Sequence, residues 1–350
     1  MWGPTIGKIM NTNHTPTQLV GPNGLPSFGI FPHSVAQING RDTDYRTPMG
    51  AKANKLARHF HYKQFQYFGV IHDDYLIGCA LAHTAWLGVA FFYIFDPKTQ
   101  QLESYTWRSP LGLHMQLSNS PVQGCSHFKQ GPVHIEMGYR QRQQGLEKSL
   151  SVTLPHLSLD ISMQESSTYE PMSLCTRTGI NGWVYANKVA GTPVVGVLRR
   201  GNQNTDIRAF GHHDFSAGYM RRQTFWNWAC FSGEVKGLRL GLNVSCGVNE
   251  TSFSENCFWL DDACVPLGPI VFDYQRHNLE APWQISTHDN SLMLTFHPLG
   301  KHTERLNLGL FASNFNQMFG YFSGHLTLPD GNKLSIERLH GFVEEQYAKW

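Results

Sequence analysis

The chain has 350 residues, 41% of them hydrophobic and 15% charged, with a formal charge of +2. That composition describes a well-buried globular protein of two ordinary domains or one large β architecture, and excludes a disordered chain. Lys and Arg occur in short pairs such as Arg199-Arg200 and Arg221-Arg222, which argues against nucleic acid as a partner.

Residues 1–48 are rich in Pro, Gly, Asn and Thr without sustained period, and read as an extended N-terminal arm. The arm begins without a charged head and apolar core, so no signal peptide is expected. The seven cysteines are odd in number and lack CxxC spacing. They read as reduced and buried rather than as a disulfide framework or zinc ribbon, and a cytoplasmic location is expected. Ala51–Gln64 has helix formers with Leu56, Phe60 and Lys63 in helical spacing, which predicts one short helix.

Leu76 to Phe95 carries no formal charge over twenty residues, the length of a spanning helix. His83, two glycines and a β-rich end with Val89, Phe91, Phe92 and Ile94 instead predict two buried strands joined near His83–Trp86. No integral membrane segment is expected. From Phe65 onward, β-branched and aromatic segments alternate with turn signals about every ten residues, as a sandwich or barrel requires. Examples are QYFGVIH, GVAFFYIFD before the DPKTQ turn, WVYANKV and TPVVGVL, then GLRLGLNVS and SLMLTFHP before an expected LGKH turn. The polar LRRGNQNTD stretch suggests a junction near 195–210, dividing a first β unit over 49–205 from a second over 206–350. LPDGNKL, an Asp-Gly turn between apolar residues, predicts a hairpin.

Ionisable and aromatic side chains crowd into residues 209–261, more densely than packing alone explains. In a strand His212 and Asp214 share one face. Such a pair suits acid–base chemistry or metal ligation, and equally an Asp-capped turn. No HxH or HExxH motif completes a ligand set, so no metal is expected. Glu250 and Glu255, with Asn249 and Asn256 beside them, form a second candidate. Two nearby carboxyls can hold different proton affinities, or the stretch is a solvated loop. Trp226, Trp228 and Trp259 suit either core packing or an aromatic pocket wall. Tyr219 and Arg221 share a face, where Arg221 would hold an anionic group or a surface carboxylate. Glu344, Glu345 and His340 stand beside aromatics near the chain end. No Gly-rich phosphate loop or GxSxG elbow is present, so no cofactor is expected.

Two resemblances follow from these residues. The runs HHDFSAGYMRRQTFWNWACFSG, GVNETSFSENCFWLD, ASNFNQMFGYFSG and GFVEEQYAKW resemble a widespread bacterial family of unknown function, over most of the chain. A second resemblance is to the double-barrel, lipocalin-like group of carotenoid 1,2-hydratases, tocopherol cyclases and related pericyclases. It rests on Tyr185, the strand around Gly196, Asp214 and Gly218 in the motif positions, then Trp226-Asn227-Trp228 and Gly233. Where that group places a His, an acid or amide and a Trp after the Asp, this chain has Phe215, Ser216 and Ala217. The resemblance implies an all-β protein of two packed lipocalin-like antiparallel barrels. It also implies a cavity for a lipid- or terpenoid-like small molecule and a cofactor-free, proton-driven hydration, cyclisation or isomerisation. Asp214 would donate the proton, oriented by His212 and Tyr219, with Trp226 and Trp228 as walls. The alternatives are a non-enzymatic carrier of a lipophilic ligand, or a carbohydrate-active enzyme using Glu250 and Glu255 across an open groove.

Overall fold

A computed structural model describes residues 14–247, 251–309 and 311–350. Among the described residues nearly all regular structure is β, in two curled antiparallel sheets of 13 and 9 strands, with one α-helix at Lys55–His61. Each sheet wraps its own apolar core as a barrel or half-barrel, and the two stand together as a double barrel. No helix among the described residues is long and apolar enough to cross a membrane.

The uncharged Leu76–Phe95 run forms two strands, Leu76–His83 and Leu87–Asp96. Its composition has a physical cause. Alternate residues Ile77, Cys79, Leu81, Ala90 and Phe92 fill the first barrel. Their neighbours Leu76, Ala80, Phe91, Tyr93 and Phe95 press against Cys230, Phe319 and Phe342 of the second sheet. A strand buried on both faces reads as one continuous apolar run.

Two expectations are corrected. LGKH is not a turn: the strand Leu292–Asn307 runs through it, with a register shift between Pro298 and Gly300. A bulge absorbs the extra residue, so proline and glycine bend the strand without ending it. The polar stretch near 201 is a hairpin turn joining Trp183–Arg200 to Gln203–Tyr219 inside the first sheet. The chain crosses to the second sheet only between Tyr219 and Gln223, so turn-rich polarity marked a strand reversal and not a junction. WVYANKV and TPVVGVL are two halves of that one 18-residue strand. LPDGNKL is the hairpin turn between Ala312–Thr327 and Lys333–Lys349.

The arm's described part lies along the body, packing Leu19, Phe31, Val35 and Ile38 over Trp183, Tyr185 and Phe215. Tyr185 anchors it by accepting a hydrogen bond from the Val35 amide at 3.0 Å.

Candidate functional site

The site lies between the sheets, where two cross-strand rows face each other. In the first sheet Lys188 stands opposite Asp214, Asp214 opposite Tyr67, and Tyr67 opposite Ala80. In the second, Ser245 stands opposite Trp228, Trp228 opposite Glu344, and Glu344 opposite Gln317. Side chains directly opposed on antiparallel strands share a face, so each row presents its groups to the other barrel. Between them lies a cavity of about 250 Å³ with mostly apolar walls, among them Phe65, Val89, Phe91, Trp228 and Phe315.

Among the polar groups in those walls, Lys188, Asp214, Glu255 and Glu344 form a buried cluster. The Lys188 ammonium donates to Asp214 and lies 3.4 Å from Glu255. Asp214 also accepts from Ser216 Oγ at 2.9 Å. One ammonium cannot neutralise two carboxylates. Burial and the facing Glu255 charge hold the Asp214 carboxyl above its ordinary range, although Lys188 pulls it down. Burial opposes the Lys188 charge, but Asp214 and Glu255 outweigh it and keep the ammonium above its usual value. Glu344, across the cavity, is pushed up to about 7, chiefly by burial and further by Asp214; Trp226, Gln317 and Lys188 act against the rise.

Glu344 also ends a hydrogen-bonded chain whose direction is fixed. Its carboxylate accepts from Gln317 Nε2 at 2.6 Å and from Trp226 Nε1 at 3.4 Å. The Gln317 carbonyl therefore points the other way and accepts from the Tyr93 hydroxyl. Tyr93 has then spent its only proton, so the Tyr67 hydroxyl, 2.6 Å away, donates to it. Tyr67, which lines the cavity, consequently keeps only oxygen lone pairs to offer while Glu344 is ionised.

His212 shares the Asp214 face but turns its Nε2 to Cys230 Sγ at 3.3 Å. Burial, with Lys188 nearby, pushes its pKa down to about 3, so the ring is a neutral packing element rather than an orienter of Asp214. Room for it comes from Gly69, opposite on the next strand, where a Cβ would lie 1.9 Å from the ring. Tyr219 falls on the other face of the strand and stacks on Tyr45 of the arm at 4.0 Å. The odd spacing from Asp214 forces that outcome. Trp226, Trp228 and Arg221 line the cavity. The Trp228 indole donates to Asn243 Oδ1 at 2.8 Å, and Arg221 holds the Thr178 carbonyl at 2.7 Å.

Trp259 packs into the first barrel's core and donates to the Glu170 carbonyl at 2.7 Å. Asn256 accepts from the Ser245 amide at 2.7 Å, bracing the segment that carries Glu255. Asn249 and Glu250 lie outside the described residues. Lys188 and Gln317 carry no signal within the dense segment and were missed. Glu344 stood out only as an acid among aromatics near the chain end.

A double β-barrel with a carboxyl-lined apolar cavity between its barrels is the class that fold and site define. Within it the chain belongs to the family described as Domain of unknown function (DUF2804), which matches residues 11–350. Among solved structures it is similar to CghA with Sch210972, at a TM-score of 0.54 and 9% identity, covering 96% of this chain and 97% of that one. That likeness carries the shared fold. A putative AttH from Nitrosomonas europaea aligns at a TM-score of 0.49 and 12% identity, over 82% of this chain and 92% of that one. Kievitone hydratase from Nectria haematococca aligns at 0.40 and 8%, over 82% and 88%. No curated protein matches the chain.

Proposed function

We propose that the cavity between the barrels binds a largely apolar, lipid- or terpenoid-like small molecule and moves a proton on it without a cofactor. The reaction is a hydration, cyclisation or isomerisation. The observation that carries this reading is Glu344, a buried carboxyl titrating near 7 in an apolar cavity that faces the Lys188–Asp214–Glu255 cluster. An acid of that pKa holds and releases a proton near neutrality, as general acid–base catalysis demands. Asp214, itself raised, is the second proton carrier, and the faces of Trp226 and Trp228 suit a cationic intermediate.

The Tyr67–Tyr93–Gln317 chain adds a coupling. When Glu344 takes up a proton, its hydroxyl donates to Gln317, the amide turns over, and each tyrosine reverses. Tyr67 then offers its hydrogen to the cavity instead of its lone pairs. One protonation at Glu344 thus changes the group that meets a ligand oxygen on the opposite wall. CghA, whose structure contains Sch210972, supports a small-molecule role for this architecture. The mostly apolar walls favour this reading over a sugar-binding groove.

Native mass spectrometry of the purified protein, followed by solvent extraction, supplies the first test. A retained apolar molecule is expected, and Glu344→Gln is expected to keep it while losing about 10²–10⁴-fold in turnover. Unchanged turnover in Glu344→Gln and Asp214→Asn overturns the catalytic role and leaves a carrier. A polar glycan in the extract overturns the ligand class.

A further inference from the structure

The mouth of the cavity is ringed by apolar side chains that no part of the described chain covers. Phe60 of the helix stacks on Trp86 at 3.7 Å, and Trp86 lies 5.4 Å from Phe311, a cavity residue. The Leu111 amide donates to the Trp86 carbonyl, and the Leu308 amide to the Phe311 carbonyl. These contacts join four separate segments into one collar. Its outward side chains, Leu56, Trp86, Leu111, Leu113 and Leu308, are between 40% and 75% exposed. Scattered surface leucines need no explanation, but four leucines and a Trp gathered at one cavity mouth do.

Leu111 gives independent support. Its φ is +55°, in the left-handed region, where Gly, Asn or Asp is the favoured residue. A leucine there is unfavourable for the backbone, and its side chain is 52% exposed. A residue that breaks two local rules at an opening marks a surface kept for contact.

The charge around the collar selects the partner. Residues 52–61, 83–87, 108–114 and 304–309 hold one acid between them, Glu304, which is paired with Arg108 at 2.8 Å. The same segments and the adjoining chain end supply Lys55, Arg305 and Lys349, in a protein whose total charge is only +2. Lys349 reaches across to the Gly309 carbonyl at 2.9 Å, inside the ring. Apolar tips surrounded by cations are the complement of an anionic bilayer, where leucines and Trp enter the interface and Lys and Arg meet the headgroups.

We propose that this collar docks on an anionic lipid surface, so that the cavity opens onto the membrane interface and exchanges its ligand there. The role of the surface rests on the reading of the cavity as a site for an apolar molecule. The docking itself stands on the collar alone.

The test is co-sedimentation of the full chain with vesicles of equimolar phosphatidylcholine and phosphatidylglycerol, against vesicles of phosphatidylcholine only. The protein is expected to pellet with the anionic vesicles, to stay largely in solution with the neutral ones, and to be released by high salt. The double variant Leu111→Asn, Leu113→Ser suits the left-handed turn at least as well as the native sequence. It is expected to keep the native Tm while losing about tenfold or more of the vesicle partition. No pelleting of the native protein, or undiminished pelleting of the variant, overturns the proposal. Self-association through the same leucines without vesicle binding also overturns it, and makes the collar a contact between copies. Asp214→Asn and Glu344→Gln lie away from the collar and are expected to bind vesicles normally. Failure of the catalytic reading is therefore distinguishable from failure of docking.

Discussion

Lys148 and Lys188 are both buried against carboxylates on the same sheet, yet they create opposite environments. Lys148 pairs with Glu165 alone inside the first barrel, with side chains 0% and 5% exposed. One ammonium meets one carboxylate, and the pair is electrically closed. Lys188 faces Asp214 and Glu255, with Glu344 across the cavity. Three carboxyls share one ammonium, and burial, with that imbalance added, holds Asp214 and Glu344 above their ordinary range. The difference teaches that a buried lysine is not in itself a sign of a site. The balance of charge around it, and the open space beside it, separate a structural pair from a proton-handling cluster.

The largest effect should come from breaking the closed pair. Lys148→Met strands Glu165 in a packed interior and is expected to cost about 3–5 kcal/mol, read as a lower denaturant midpoint. Adding Glu165→Leu should restore most of that loss. No restoration would mean that Lys148 acts through something other than charge balance.

Next comes the pH dependence carried by Glu344. Its folded pKa of about 7 lies above the ordinary value of 4.5. Its contribution is therefore fully present below 4.5 and is lost as pH rises through 7, about 3 kcal/mol at most. Glu344→Gln should flatten the fall of Tm across that window. A pH profile identical to the native one would sink the assignment.

Lys188→Met should cost less than Lys148→Met, about 1–3 kcal/mol, because Asp214 borders a cavity and, already raised, can take up a proton. Removing the ammonium raises the Asp214 carboxyl further, so the deficit should grow with pH. Equal losses for the two lysine variants would erase the distinction between pair and cluster. The smallest change is Trp226→Phe, which removes one hydrogen bond from the Glu344 carboxylate. It should raise the midpoint of the pH-dependent step by a few tenths of a unit, on the order of 0.5 kcal/mol, with little loss of stability.

Much of the architecture was readable in advance because its signals are local. The run Leu76–Phe95 gave itself away as two strands through β-branched and aromatic residues around a His and two glycines. LPDGNKL is a hairpin for the same reason in any context. Within the site, Asp214, Trp226 and Trp228 were legible because they stand close together in the chain with strand periodicity. Tyr219 falls on the opposite face because its odd spacing from Asp214 along the strand reverses the side. His212 was placed on the right face, but its partner, Cys230, belongs to the other barrel.

The rest depends on register, which no local pattern encodes. Counted straight back from the Arg200–Gln203 turn, the residue opposite Asp214 is Val189. A single extra residue, Gly191, shifts the pairing between Ala190 and Thr192 and brings Lys188 there instead. Gly191 bulges because its φ is +73° and because its amide donates to Ser232 Oγ of the second sheet at 2.9 Å. Contact with the other barrel thus goes with the bulge that sets the ion cluster. The sequence by itself determined an all-β chain, its hairpins, its two-faced apolar strands and one carboxylate beside a two-Trp strand, since each follows from side-chain period and turn chemistry. Only the tertiary structure decided that Lys188, Glu255 and Glu344 meet that carboxylate, because a one-residue slip and the packing of two barrels place them there.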